Sequence, residues 1–235
     1  MDEQGKPKKS VGNVVHAIVK ASISAIPLAG APAAEIFALV VTPPYERRRD
    51  EWIESIGNGL KELAEKVEGF KIEELSNNET FITTVTHASQ AAIRNHQKEK
   101  LEALRNAVLN AALPNAPEDD LQLMFLNFVD SFTPWHLVIL KFFDNPKDWG
   151  QRHGISFPSF MIGGSPSTIL ELAFTELSGK QELYDQFVKD LFSRGLMSTD
   201  QLHTMMTEGG MFASRITSMG QQFIRFITSP IADTE

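Results

Sequence analysis

The sequence predicts a mainly α-helical protein, a helical bundle followed by a C-terminal winged-helix-like module with one short β hairpin. Apolar residues recur at three- and four-residue spacing through most of the 235-residue chain, as they do in helices that bury one face. Prolines and capping residues stand where these patterns begin, and glycines stand where several of them end. Because 42% of the residues are hydrophobic, the chain can build a substantial core.

The least polar stretch lies near the N-terminus. Between positions 21 and 45 the only charged residue is Glu35. A continuous apolar helix of about 20 residues would span a bilayer, but Pro27 and Pro32 each remove a helical amide. The stretch therefore predicts a hairpin of two short helices. The second is expected to end at Thr42-Pro43-Pro44, where a third helix begins.

This hairpin supplies the candidate contact surface. Exposing a large apolar side chain to water costs roughly 1.5–3 kcal/mol, so these residues should be covered by protein or by lipid. The sequence leaves two interpretations open. Either the hairpin is the core of a helical bundle, or it is released on activation to contact a membrane or to oligomerise. The candidate contact residues are Ile18, Val19, Ile23, Ile26, Ile36, Phe37, Leu39 and Val40.

Further helices are expected to complete a first domain, residues 1–146. Apolar spacing predicts one long helix or two abutting ones between Phe81 and Leu109, and a helical pair between Leu121 and Phe143. The second helix of that pair should start at Thr133-Pro134, a capping residue followed by a first-turn proline. Residues 147–165 contain four glycines and Pro158 among residues of mixed polarity, which predicts an irregular connector. Residues 166–235 form the second predicted domain.

The C-terminal domain has the element order of a winged helix. Two helices joined at Ser178-Gly179-Lys180 precede two expected strands, residues 202–207 and 211–216, and a last helix. A DNA-binding role is not favoured, since acidic and basic residues balance in the second helix. The wing contributes only Arg215, next to Glu208. Nucleic acid is thus not an expected partner. A winged-helix regulator or adaptor that binds DNA or a protein is the alternative function.

Recognisable catalytic and ligand motifs are missing from the sequence. The chain has no cysteine, hence no disulfide or thiolate ligand, and its six histidines form no H-E-x-x-H pattern. Walker, G-x-G-x-x-G and G-x-S-x-G strings do not occur. We therefore assign no catalytic, cofactor-binding or metal-ligating residue, and expect neither an enzyme nor a small-molecule substrate. Four methionines near the predicted wing form either an adaptable partner surface or part of the core: Met205, Met206, Met211 and Met219.

The layout of several segments resembles the bacterial abortive-infection alpha family. The segments are the proline-broken apolar helices leading into ERRR, the strings EALRNAVLNAAL and LMFLNFVDSFTPWHLVILKFF, and Thr217-x-x-Gly220-x-x-Phe223. This resemblance implies a bacterial, mostly helical protein that acts in defence against phage, and it supplies no catalytic residue. A protein partner or self-association is expected. The lack of cysteine suits a cytoplasmic location, with peripheral membrane association of the N-terminal helices left open.

Overall fold

The computed structural model describes residues 32–231, with side chains from Val41 on except that of Pro43. This part of the chain is helical, and residues 32–231 contain no β strand. The mainly helical prediction is confirmed. The α helices are α1 (Pro32–Lys66), α2 (Glu79–Arg94), α3 (Lys98–Ala111), α4 (Asp119–Ser131), α5 (Pro134–Asp144), α6 (Pro146–Arg152), α7 (Pro166–Ala173), α8 (Gln181–Ser193), α9 (Glu208–Met211) and α10 (Ser218–Phe226), with 3₁₀ helices at Ile72–Asn77 and Thr175–Leu177.

Two compact units divide the described chain. The first, unit 1, comprises the residues up to Asp130 together with those from Phe226 on, and the second, unit 2, is Ser131–Arg225. The domain limits expected from the sequence, 1–146, 147–165 and 166–235, stay a prediction.

Unit 1 is built around α1, α2 and α3. Four side chains of α1 are buried at spacings of three and four residues: Trp52, Ile56, Leu60 and Leu63. Trp52 Nε1 donates to Ser89 Oγ on α2 at 2.8 Å, and this hydroxyl donates to the carbonyl of Val85 at 2.6 Å. The indole N–H is thus satisfied inside the core, as a buried polar group requires.

Helix α1 corrects one prediction. Pro32–Lys66 is a single helix of 35 residues, so the expected boundary at Thr42-Pro43-Pro44 was wrong. Proline removes an amide donor, but its ring holds φ close to the helical value. The two prolines cost hydrogen bonds and crowd the preceding turn, but their φ fits a helix, and α1 continues through them. The second arm of the predicted hairpin is the N-terminal end of α1, and the first arm lies outside the described residues.

Two asparagines on α3 hold the last described residues of unit 1. Asn106 Nδ2 donates to the carbonyl of Ile227 at 3.2 Å. Asn110 Nδ2 donates to the carbonyls of Phe226 and Thr228 at 2.9 and 2.8 Å. Carbonyls at and beyond a helix end have no intrahelical partner, and these amides satisfy them.

Unit 2 confirms the helix signals that depend on local sequence. Pro134 is the first residue of α5, and Thr133 N donates to His136 Nδ1 at 3.0 Å. Gly179 and Gly195 have φ of +73° and +72°, the left-handed conformation that favours glycine in a tight turn and after a helix. The predicted connector is partly helical, because Pro146–Arg152 forms α6 with Asn145 as its cap.

The predicted β hairpin is not shown. Residues 208–210, its expected turn, and Met211, the first residue of its second expected strand, form helix α9, and the segments on either side of this helix do not pair with each other. Instead Met206 makes an isolated antiparallel bridge with Gly164, and Ile216 makes one with Met197. The polar pattern around Glu208 thus encodes a short capped helix, with Gly210 N donating to Thr207 Oγ1 at 3.3 Å, rather than a reverse turn.

Candidate functional site

Half of the predicted contact residues can be placed on the structure. Ile36, Phe37, Leu39 and Val40 lie in the N-terminal turns of α1, where the backbone is described. Ile18, Val19, Ile23 and Ile26 lie outside the described residues. The placed residues therefore belong to the helix that carries Trp52 and Leu63 into the core of unit 1.

Burial along α1 changes abruptly. None of the described side chains from Val41 to Glu51 is buried, and the first buried one is Trp52. Val41 and Tyr45 stand eleven and seven positions before Trp52, so both share its face on a helix with 3.6 residues per turn. Val41 is 38% exposed. The face that forms the core from Trp52 onward thus continues towards the N-terminus without being fully covered.

Three arginines follow the apolar turns of α1. Arg48 Nη1 donates to the carbonyl of Ile93 at 3.2 Å, and Arg49 Nη2 lies 2.9 Å from Asp50 Oδ1. The exposed Arg47 lies 3.7 Å from Glu51, and its side chain keeps 72% of its surface accessible. Because exposed ion pairs contribute only about 0–1 kcal/mol, Arg47 can exchange its carboxylate for another anion at little cost.

Arg215, the one cation expected on the wing, is buried. Its guanidinium donates to the carbonyls of Gly210, Met211 and Ala213 at 2.8, 3.1 and 2.6 Å. Burial lowers the pKa of Arg215 below the usual arginine value. The side chain contacts the Phe143 ring, 5.7 Å from its centroid. Arg215 therefore organises its own loop and is not presented to a phosphate backbone.

The histidines of residues 32–231 are distributed singly or in pairs with one carboxylate. His203 Nε2 lies 2.8 Å from Asp185 Oδ1, and the buried His136 Nε2 lies 3.3 Å from Asp190 Oδ2. Over residues 32–231, no three side chains of His, Asp or Glu come together as metal ligands. Each pair joins α8 to another segment of unit 2, so its evident role is to hold the fold.

Within the described part of the chain, no single helix is both long enough and apolar enough to cross a membrane. Helices α4 and α5 meet the criteria of length and composition only when they are taken together. Their large apolar side chains, such as Phe125 and Phe143, are buried in the protein.

The methionines separate into surface and core residues. Met205 is 68% exposed, whereas Met211 is buried, and Met206 and Met219 are half-buried. The sequence analysis missed a more exposed pair, Met161 and Ile162, because apolar residues in a glycine-rich segment carry no periodicity that distinguishes surface from core.

Comparison of the chain with protein-family models, with curated proteins and with solved structures found no match.

Proposed function

We propose that this protein is a non-enzymatic bacterial defence protein of the abortive-infection type, and that it acts by self-association through the N-terminal turns of α1. The resemblance in sequence layout supports the biological role. One structural observation carries the mechanism: α1 continues as one helix on the N-terminal side of Trp52, its first buried side chain, and its core face runs on through Tyr45 and Val41.

The favourable free energy of self-association would come from burying this continued face of α1. A helix that contributes four buried side chains from Trp52 to Leu63 is held firmly by unit 1, so its N-terminal turns have a fixed direction. An apolar stripe on such a helix loses little conformational freedom on association, and burying each large side chain contributes roughly 1.5–3 kcal/mol. Two copies that pair these stripes would cover Val41 and Tyr45 together with the neighbouring apolar positions.

A second candidate is contact with an anionic membrane surface, and Arg47 favours it. An apolar helical segment followed by exposed arginine is the composition of interfacial anchors, in which each basic residue near the lipid contributes about 1 kcal/mol. The acidic partner Glu51 reduces this contribution. For that reason we place self-association first.

The test compares two substitutions that add the same charge to α1. Val41→Asp introduces a carboxylate on the continued core face, whereas Asn58→Asp introduces it at an exposed position of the same helix. We expect wild-type protein and Asn58→Asp to form a dimer or larger oligomer in light scattering after size exclusion, and Val41→Asp to remain monomeric with an unchanged circular dichroism spectrum. Wild-type protein that stays monomeric at all accessible concentrations would refute self-association.

The membrane candidate is tested separately. Wild-type protein and Arg47→Gln are floated with vesicles of anionic phosphatidylglycerol and, separately, of neutral phosphatidylcholine. The comparison shows whether the protein binds membranes and whether that binding depends on charge. Membrane contact would replace self-association as the mechanism if wild-type protein is monomeric and floats with anionic but not with neutral vesicles. Less Arg47→Gln than wild-type protein should then float with the anionic vesicles. Absence of flotation would leave association between proteins as the mechanism.

A further inference from the structure

A tight turn in unit 2 exposes two large apolar side chains. Met161 and Ile162 are each 95% accessible to solvent. They occupy the central positions of a turn closed by Gly163 N, which donates to the carbonyl of Phe160 at 2.9 Å. Exposed apolar residues are common singly, but adjacent ones held clear of the surface indicate a contact site.

The turn is fixed on both sides. Phe160 N donates to Glu208 Oε2 at 3.3 Å, and Gly164 exchanges two backbone hydrogen bonds with Met206, at 3.0 and 2.8 Å. Gly163 has φ of +82° and lies so close to the carbonyl of Met206 that a Cβ atom would overlap it. These contacts on both sides restrict the backbone that carries the two exposed side chains.

Arg215 makes this support rigid. Its guanidinium Nη2 donates to the carbonyl of Gly210 at 2.8 Å and lies 3.1 Å from Met206 Sδ. Because Met206 is the residue that bridges to Gly164, the buried cation holds the segment on which the turn rests. A turn ordered in advance loses little entropy on binding, which favours affinity.

A groove adjoins the turn. It has a volume of about 420 Å³ and its lining includes Lys147, Ile155, Phe157, Pro158, Glu208 and Phe212. The rings of Phe157 and Phe212 meet edge to face with centroids 5.1 Å apart, and Lys147 Nζ lies 5.0 Å from the centroid of Phe212. Phe160 contacts the same Phe212 ring, so the base of the turn and the groove share a wall.

The polar groups of the groove indicate a polypeptide as its ligand. Lys147 forms no ion pair within the described residues, and Glu208 uses one carboxylate oxygen for Phe160. The groove thus offers a cationic donor and an anionic acceptor between apolar walls. A peptide backbone satisfies both, because each amide carries one acceptor and one donor.

A lipid surface fits the same groups less well. Unit 2 carries eight Lys and Arg residues against nine Asp and Glu, so it lacks the positive excess that attracts anionic headgroups. Insertion of the turn would also bring the carboxylate of Glu208 towards hydrocarbon, which is unfavourable.

We propose that the Met161–Ile162 turn and the adjoining groove form a docking site for an extended apolar peptide segment of a partner protein. Side chains of the segment pack against Met161, Ile162 and the phenylalanine rings, while its backbone pairs with Lys147 and Glu208. This site lies in unit 2, so it goes beyond the association through α1 and does not depend on it.

A displayed library of short random peptides, selected on the full-length protein, provides the probe. Binding of the selected peptides is then measured by fluorescence polarisation with Met161→Ser/Ile162→Ser and with a control, Leu172→Ser/Leu183→Ser, which removes exposed apolar side chains of the same unit elsewhere. We expect apolar peptides whose affinity falls at least about tenfold in the first variant and is unchanged in the control. Lys147→Gln should lower the affinity of the protein for the same peptides.

Three results would overturn the proposal. The first is a selection that yields no peptide preferring wild-type protein over Met161→Ser/Ile162→Ser, and the second is an equal loss of affinity in the control. Binding of wild-type protein to phosphatidylcholine vesicles that depends on Met161 and Ile162, without peptide binding, would assign the turn to a membrane instead. Met161→Ser/Ile162→Ser should keep the wild-type melting temperature, because both side chains are 95% accessible. Circular dichroism at the assay temperature checks that the leucine control is folded.

Discussion

Replacing Arg215 by methionine should destabilise the protein far more than the same substitution at an exposed arginine. The guanidinium donates to three carbonyls within 3.1 Å. Hydrogen bonds to charged groups contribute about 1.5–3 kcal/mol each, but the penalty of burying the cation opposes their sum. The lowered pKa of Arg215 shows the direction of this penalty. After the substitution, water can replace the guanidinium at the carbonyl of the exposed Ala213. The loss is therefore smaller than the sum of three hydrogen bonds, and we expect a net loss of about 3 kcal/mol.

The matched control is Arg152→Met. Arg152 pairs with Asp148 on the surface at 2.7 Å, one helical turn away, and such pairs contribute about 0–1 kcal/mol. Urea denaturation followed by far-UV circular dichroism gives both unfolding free energies. If the two variants lost the same stability to within about 0.5 kcal/mol, Arg215 would not be the organiser of its loop. The loop of Arg215 would then not be the rigid support of the Met161–Ile162 turn.

Three further outcomes follow from polar side-chain contacts. Trp52→Phe keeps most of the packing but leaves Ser89 without its indole donor, so the unfolding free energy should fall by roughly 1–2 kcal/mol in urea; no change would show that the hydrogen bond is neutral. Asn110→Ala removes a part-buried hydrogen bond to Phe226 and an exposed one to Thr228, so it should cost roughly 0.5–1.5 kcal/mol, and amide exchange should rise at Phe226 and Thr228 rather than in α2. Burial first, and the hydrogen bond to Glu171 second, raise the pKa of Tyr184 above its ordinary 10.0. The folded state therefore retains a proton that the unfolded state loses, so stability should fall as pH rises above about 10. Tyr184→Phe should lessen this fall in denaturation curves, and an identical pH profile would contradict it.

Local signals in the sequence were sufficient to predict most of the helices. Thr133-Pro134 and Gly195 act within their own turns, so a capping residue, a first-turn proline and a left-handed glycine could be recognised without knowing the tertiary structure. The prolines at 43 and 44 were misjudged for a related reason. Their local cost is real, but a helix held by Trp52 and the positions after it continues through them.

The C-terminal segment shows what local signals miss. Residues 202–216 contain strand-like apolar runs around two glycines, which predicted a hairpin. The segment is organised instead by Arg215, which binds carbonyls of its own loop, and by the bridge between Met206 and Gly164. Neither contact leaves a periodic trace in the sequence. The exposure of Met161 and Ile162 could not be predicted from the sequence for the same reason. An apolar pair before two glycines has the same composition whether it lies in a core or on a surface.

The two proposed surfaces lie in different units, which makes their independence testable. Val41→Asp acts on α1 in unit 1, and Met161→Ser/Ile162→Ser acts on the turn in unit 2. If self-association and peptide docking are separate steps, the peptide affinity of Val41→Asp should equal that of the wild type. The oligomeric state of Met161→Ser/Ile162→Ser should be unchanged as well, because effects at sites without shared partners add. Loss of both properties in either variant would show that association completes the docking site, or that docking depends on the oligomer, and would merge the two proposals into one.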